Sequence, residues 1–123
     1  MMFKVEIPQL PPKELSPNGR YHWAVKARAT RVLREAAFYC AMTNTSRPQY
    51  HEAEVSITIV VPDRRHMRDT DNVLASLKPA IDGCVDAGIV PDDSPHHLYY
   101  RLPVEWEIDK ERAPLIILKF SEV

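Results

Sequence analysis

The chain has 123 residues and two cysteines, and its 16 Lys and Arg nearly balance 17 Asp and Glu, leaving a net charge of -1. A chain of this length is expected to form one domain that buries about two thirds of its unfolded surface, and so to hold a core without staples. Cys40 and Cys84 lie far apart with no CxxC or Cys/His spacing, which argues against a zinc site or a disulfide scaffold and suits a reducing cytoplasm.

The opening MMFKVEIPQL has no charged n-region, and no stretch approaches the roughly 20 apolar residues of a membrane span, so the chain reads as soluble and cytoplasmic, with no membrane partner. The net charge hides an asymmetry. Residues 1–68 carry a balance of +5 and residues 69–123 one of -6. The basic half is an electrostatic footprint suited to nucleic acid, although charge runs are commonly solvated faces.

Phe3, Val5 and Ile7 alternate with Lys4 and Glu6, the pattern of a half-buried strand that Pro8, Pro11 and Pro12 end. A loop rich in Pro, Ser, Asn and Gly follows and leads into Arg20, Tyr21, His22 and Trp23. Such a loop can grip a nucleic-acid backbone or stack a base, or Trp23 can anchor the next helix in the core. Residues 21–42 read as a helix with Val25, Ala29, Val32, Ala36 and Cys40 as its apolar stripe and Leu33 and Ala37 beside them. Arg28, Arg31 and Arg34 fall on the other side, and no acid occurs between Ser16 and Arg34. That face can follow phosphates or be an ordinary solvated surface.

Val55, Ile57, Ile59 and Val61 form the clearest strand, which delivers the chain to the segment PDRRHMRDTDNVLASLKPAIDGCVDAGIVPDD, residues 62–93. Here Arg64, Arg65, His66 and Arg68 precede Asp69 and Asp71, and a helical stretch ends before Asp92 and Asp93. Leu98 to Trp106 then alternates as a strand, with Pro103 placing it at a sheet edge or a bulge, and Leu115 to Phe120 forms the last strand, expected to close a hairpin. The expectation is an α/β (α+β) domain of order β-α-β-α-β-β, a four-stranded mixed sheet with two helices.

The acids have two readings. Asp69 or Thr70 can cap a helix and Asp92-Asp93 can form a turn. Alternatively, hard carboxylate oxygens hold a divalent cation while the arginines hold phosphate, and a phosphodiester with its metal ion satisfies both groups. A straight helix would hold the two acidic pairs ~25 Å or more apart, so one cluster requires the chain to fold back after the helix. Pro79 offers either a helix kinked near Lys78 or a shorter helix beginning at Pro79 and ending at Gly88, with Leu77, Ala80, Ile81, Cys84 and Val85 facing the core.

The PDRRHMRDTDN segment, the helical stretch after it and the AGIVPDD end resemble the RusA family of Holliday-junction resolvases, small dimeric endonucleases common in phages and prophages. Pro11-Pro12 and the SPNGR loop at residues 16–20 are similar to that family's N-terminal pattern. The resemblance implies metal-binding carboxylates at Asp69, Asp71 and Asp93, a catalytic lysine at Lys78, bound Mg²⁺ or Mn²⁺, a four-way DNA junction as substrate and a homodimer. About three more residues separate Asp71 from Lys78 than in the family's best-known member, which on an unbroken helix sets the lysine ~10 Å along the axis. Arg64, Arg65 and Arg68, with Arg20, Trp23, Arg28 and Arg31, would contact DNA, and Asp92 would orient a ligand beside the metal. Tyr99, Tyr100 and Trp106 can serve a dimer interface or the core. Two other readings stay open: a branched-DNA-binding protein that does not cleave, and a small protein-interaction domain whose acids are only caps and turns.

Overall fold

The computed structural model describes residues 2–44 and 46–123. Its elements are strand β1 (Met2–Ile7), helix α1 (Trp23–Met42), strand β2 (Ala53–Val61), helix α2 (Thr70–Asp86), strand β3 (Leu98–Ile108) and strand β4 (Leu115–Glu122), with single 3-10 turns at Lys13–Leu15 and Arg64–His66. The four strands form one mixed sheet in the order β1-β4-β2-β3, and the element order is the expected one. On one face Val5, Ile7, Val55, Ile57, Ile59, Ile116, Leu118 and Phe120 are fully buried and make a core with the helices. The opposite face carries Lys4, Glu6, Glu54 and Lys119, as a two-layer architecture requires.

The expected closing hairpin does not form. β4 pairs antiparallel with both β1 and β2, while β3 pairs parallel with β2 at the sheet edge, so the turn after β3 crosses the end of β2. Strand composition gives the reason: Ile116, Ile117 and Leu118 of β4 are all buried, as a central strand demands, whereas Arg101, Glu105 and Glu107 of β3 are exposed. Pro103 cannot donate to a ladder and therefore sits at an edge, where the pairing jumps from Ser56↔Arg101 to Thr58↔Glu105.

α2 is one unbroken helix that contains Pro79, so neither a shorter helix starting there nor a preceding turn is present. Val73, Leu77, Ala80, Ile81 and Cys84 form one buried stripe across the proline, and the missing N–H falls at exposed Ala75, where water can reach the unpaired carbonyl. α1 crosses α2 closely at Gly83, where a Cβ would lie 2.3 Å from the carbonyl oxygen of Arg34. The α1 stripe is rotated from the expected one. Leu33, Ala37 and Ala41 face the core, while Val25 and Val32 are 38% and 50% exposed.

Candidate nuclease site on the second helix

The chain reverses sharply after α2. Gly88 adopts φ +85°, its N–H donates to the Val85 carbonyl, and the N–H of Ile89 donates to the Cys84 carbonyl. This pair of bonds is a Schellman cap, and a glycine meets the left-handed backbone without strain. Ile89 and Val90 then bury in the core, and the Ile89 carbonyl accepts from the Tyr50 N–H, so the following residues are held back along the helix. The outcome is a long-range ion pair. The Lys78 ammonium lies 2.6 Å from Asp93 Oδ2 and also bonds the Asp82 carboxylate one turn further on.

Burial opposes the charge on Lys78, but the two carboxylates outweigh it and hold its pKa above the ordinary lysine value. Lys78 in turn holds the Asp93 carboxyl below the usual carboxylate range. Tyr100, on the core-facing side of edge strand β3, feels the charges of Asp93, Lys78 and Asp82, and its phenol is held protonated chiefly by burial. Asp82 was not anticipated from the sequence, and Tyr100 was expected only at a dimer interface or in the core. The available signals were the Lys78/Asp82 spacing of four, which puts both on one helix face, and the step of two from buried Leu98 to Tyr100, which puts both on one strand face.

Asp69 occupies the N-cap position of α2, yet its side chain makes no capping hydrogen bond, and Asp71 is exposed in the first turn. Lys78 lies seven residues after Asp71, two turns along the same face and ~10 Å up the axis. The fold therefore joins Asp93 to Lys78, while Asp69 and Asp71 stand at the open end of that face. Among the described residues no three acidic, histidine or cysteine side chains converge as a ready metal-binding group. Asp92 points elsewhere: its carboxylate accepts from the Ser94 N–H at 2.8 Å and sits 4.0 Å from His97 Nε2. His97 is itself 2.8 Å from the His51 carbonyl through Nδ1, with its ring edge-on to that of His51.

The arginine run divides by role. Arg65 pairs with Asp63 at 2.8 Å and pulls that carboxyl down to about 2. Arg68 is half-buried, and burial lowers its pKa. It donates to Asn72 Oδ1, Ser76 Oγ and the Pro11 carbonyl, while Asn72 Nδ2 donates to Ser16 Oγ, so the N-terminal loop is tied to the start of α2. Arg64, Arg20, Arg28 and Arg31 are exposed and have no ion pair among the described residues. Arg34, by contrast, forms a two-bond pair with Asp86 that joins the helices.

Trp23 is 74% exposed, which excludes the core-anchor alternative; His22 beside it caps α1 by accepting from the Ala24 N–H. Tyr99 and Tyr100 are partly exposed at the sheet edge, and Trp106 packs against the core.

No family model matches the chain. A curated protein of Xylella fastidiosa, described only as an uncharacterized protein, is 36% identical over 81 residues, covering 63% of this chain and 52% of that protein. The chain thus spans about half the length of the curated relative it matches. No helix among the described residues is long and apolar enough to cross a membrane.

Proposed function

We propose that the chain is a metal-dependent endodeoxyribonuclease of the RusA type, which resolves four-way DNA junctions by paired phosphodiester hydrolysis. The observation that carries this reading is the fold-back that seats Asp93 on Lys78. Two acids and a lysine separated by up to 15 residues meet on the helix face whose open end carries Asp69 and Asp71. An interaction domain with acids serving only as caps gives no reason for that meeting, and Asp69 does not use its side chain as a cap.

The donor chemistry fits Mg²⁺ or Mn²⁺. Asp82 and Asp93 already converge on one positive centre, the Lys78 ammonium, and Mg²⁺ is commonly held by one or two carboxylates with substrate phosphate completing its shell. Asp69, Asp71 and Asp93 would hold it, as the resemblance implies, while Asp82, 11 residues and about 16 Å of helix beyond Asp71, stays with Lys78. A bound ion of this kind supplies Lewis-acid polarisation of the scissile phosphate and a more acidic water. Lys78, released from one carboxylate, offsets negative charge building on the phosphoryl oxygens in the transition state. Arg64, with Arg20, Arg28 and Arg31, holds the flanking backbone, and Trp23 gives an exposed ring for stacking. Two opposed cuts in a near-symmetric junction call for two sites, hence a homodimer working on cytoplasmic DNA.

One observation favours a second reading, junction binding without cleavage: Lys78 bridges Asp82 and Asp93, while Asp69 and Asp71 stand outside that bridge. A synthetic four-way junction and a matched linear duplex, incubated with Mg²⁺ or with chelator, separate the two. Paired nicks in the junction alone, lost in Asp71→Asn, support the nuclease; tight binding with no product under Mg²⁺ or Mn²⁺ supports the second reading.

A further inference from the structure

A groove of about 690 Å³ lies between three separate segments: the loop at residues 9–14, the first half of α1 and the stretch from Arg65 to Arg68. Its volume lies within the roughly 300–1,000 Å³ of pockets that hold small organic ligands. Leu10, Pro11, Pro12, Val25 and Val32 give it an apolar side. Lys13, Arg28 and Arg68 give it a cationic one, with Arg65 already paired to Asp63, against the single acid Glu14 among its lining residues. The exposure of Val25 and Val32 is thereby placed: they do not pack in the core because they form a wall of this groove.

The groove is tied together rather than merely open. Arg68 donates to the Pro11 carbonyl on one side and to Asn72 and Ser76 on the other, fixing the loop wall to α2. Those three bonds leave two of the five guanidinium N–H donors without a partner among the described residues, and no carboxylate pairs with this half-buried cation there. The free Nε–H is not buried, so it is open to an anion that enters the groove.

An apolar wall facing a cationic rim matches one nucleotide, with its flat base on the wall and its phosphate on the rim. A base paired and stacked in duplex cannot enter. An unpaired base enters at the lowest cost, and such bases are held between apolar side chains in proteins that extrude them. Arg68 directly precedes Asp69, which puts the groove next to the open end of the proposed site. We propose that this groove binds an unstacked nucleotide of the DNA strand, giving the protein its preference for DNA with unpaired bases, as at a junction crossover. This rests on the reading of the chain as a DNA-processing protein, but not on its metal site.

The test uses chelator throughout. The affinity of the full chain for a labelled thymidine dodecamer and for a hairpin duplex of the same length is measured by anisotropy, for wild type and for the double substitution Val25→Asn with Val32→Asn. Both valines are partly exposed, so the variant is expected to keep its fold, which a thermal melt checks. The expected result is tighter binding of the single strand than of the duplex, with about a tenfold loss for the single strand and less than about twofold for the duplex. Equal binding of both DNAs by wild type, an unchanged single-strand affinity in the variant, or equal loss for both DNAs overturns the proposal and leaves only a phosphate track. A separate junction-cleavage assay of wild type in Mg²⁺ keeps the two readings apart: selective single-strand binding without junction cleavage would defeat the nuclease while sparing the groove.

Discussion

α2 and α1 pack against each other and are both amphipathic, yet they treat their surplus side chains in opposite ways. The 17 residues of α2 bury eight, and the polar groups left outside are drawn together, Lys78 with Asp82 and Asp93. The 20 residues of α1 bury only three, and its leftover surface keeps both apolar and cationic groups open: Val32 and Tyr39 are exposed, and Arg28 and Arg31 have no ion pair among the described residues. The helix that is covered concentrates charges whose mutual attraction brings Asp93 back onto the helix, where the proposed site lies. The helix that is half-covered keeps a surface that suits contact with a large polyanion.

The strongest way to break this contrast is to remove the charge at the centre of α2. Lys78→Met is expected to slow junction cleavage about 100- to 1,000-fold, in line with loss of one preorganised charge at a developing oxyanion. Its thermal midpoint should move little, because exposed ion pairs contribute at most about 1 kcal/mol. Single-turnover cleavage and a melt on the same preparation measure both. Gly83→Ala attacks the contact between the helices. A Cβ there meets the Arg34 carbonyl at 2.3 Å, and overpacking of this kind costs about 1–3 kcal/mol in a denaturant titration.

The α1 side is sharpened by charge removal. Arg28→Gln together with Arg31→Gln is expected to reduce the slope of log affinity against log salt by about 2, with the protein equally stable. The smallest effect concerns pH. Asp93 titrates below its unfolded value of about 3.9, so the stability it contributes is present above that value and is lost as the pH falls through the lower, folded pKa. Carboxyl carbon shifts should show that depressed midpoint, and Lys78→Met should raise it towards the ordinary range.

Period and punctuation made much of this fold readable. The alternation of Val55 to Val61 and the spacing of three and four in both helices required only a face to bury. What the sequence could not show was which neighbour each face would meet. Val25, Ala29 and Val32 are as regularly spaced as Leu33, Ala37 and Ala41, and only the position of α2 decides between the two stripes. The closing hairpin failed for a similar reason, since adjacency in the chain favoured β3 with β4 while burial on both faces drew β4 to the centre. Pro79 left a continuous and a shortened helix both open, and the continuous one forms because an unbroken apolar stripe outweighs one lost hydrogen bond. In the site, the need for a fold-back was readable from the length of the helix. The choice of Asp93 over Asp92 came only through the family resemblance, because period and spacing treat the two alike and the distinction rests on the Asp92 bond to the Ser94 N–H.

That adjacent pair gives the most direct test. Four-way junction cleavage in Mg²⁺ is measured for wild type, Asp93→Asn and Asp92→Asn, two changes of identical chemistry one residue apart. Paired nicks are expected from wild type, activity within a few fold of it from Asp92→Asn, and no detectable product from Asp93→Asn. Equal activity in the two variants, or no cleavage by wild type, would contradict a nuclease centre built on the Lys78–Asp93 contact.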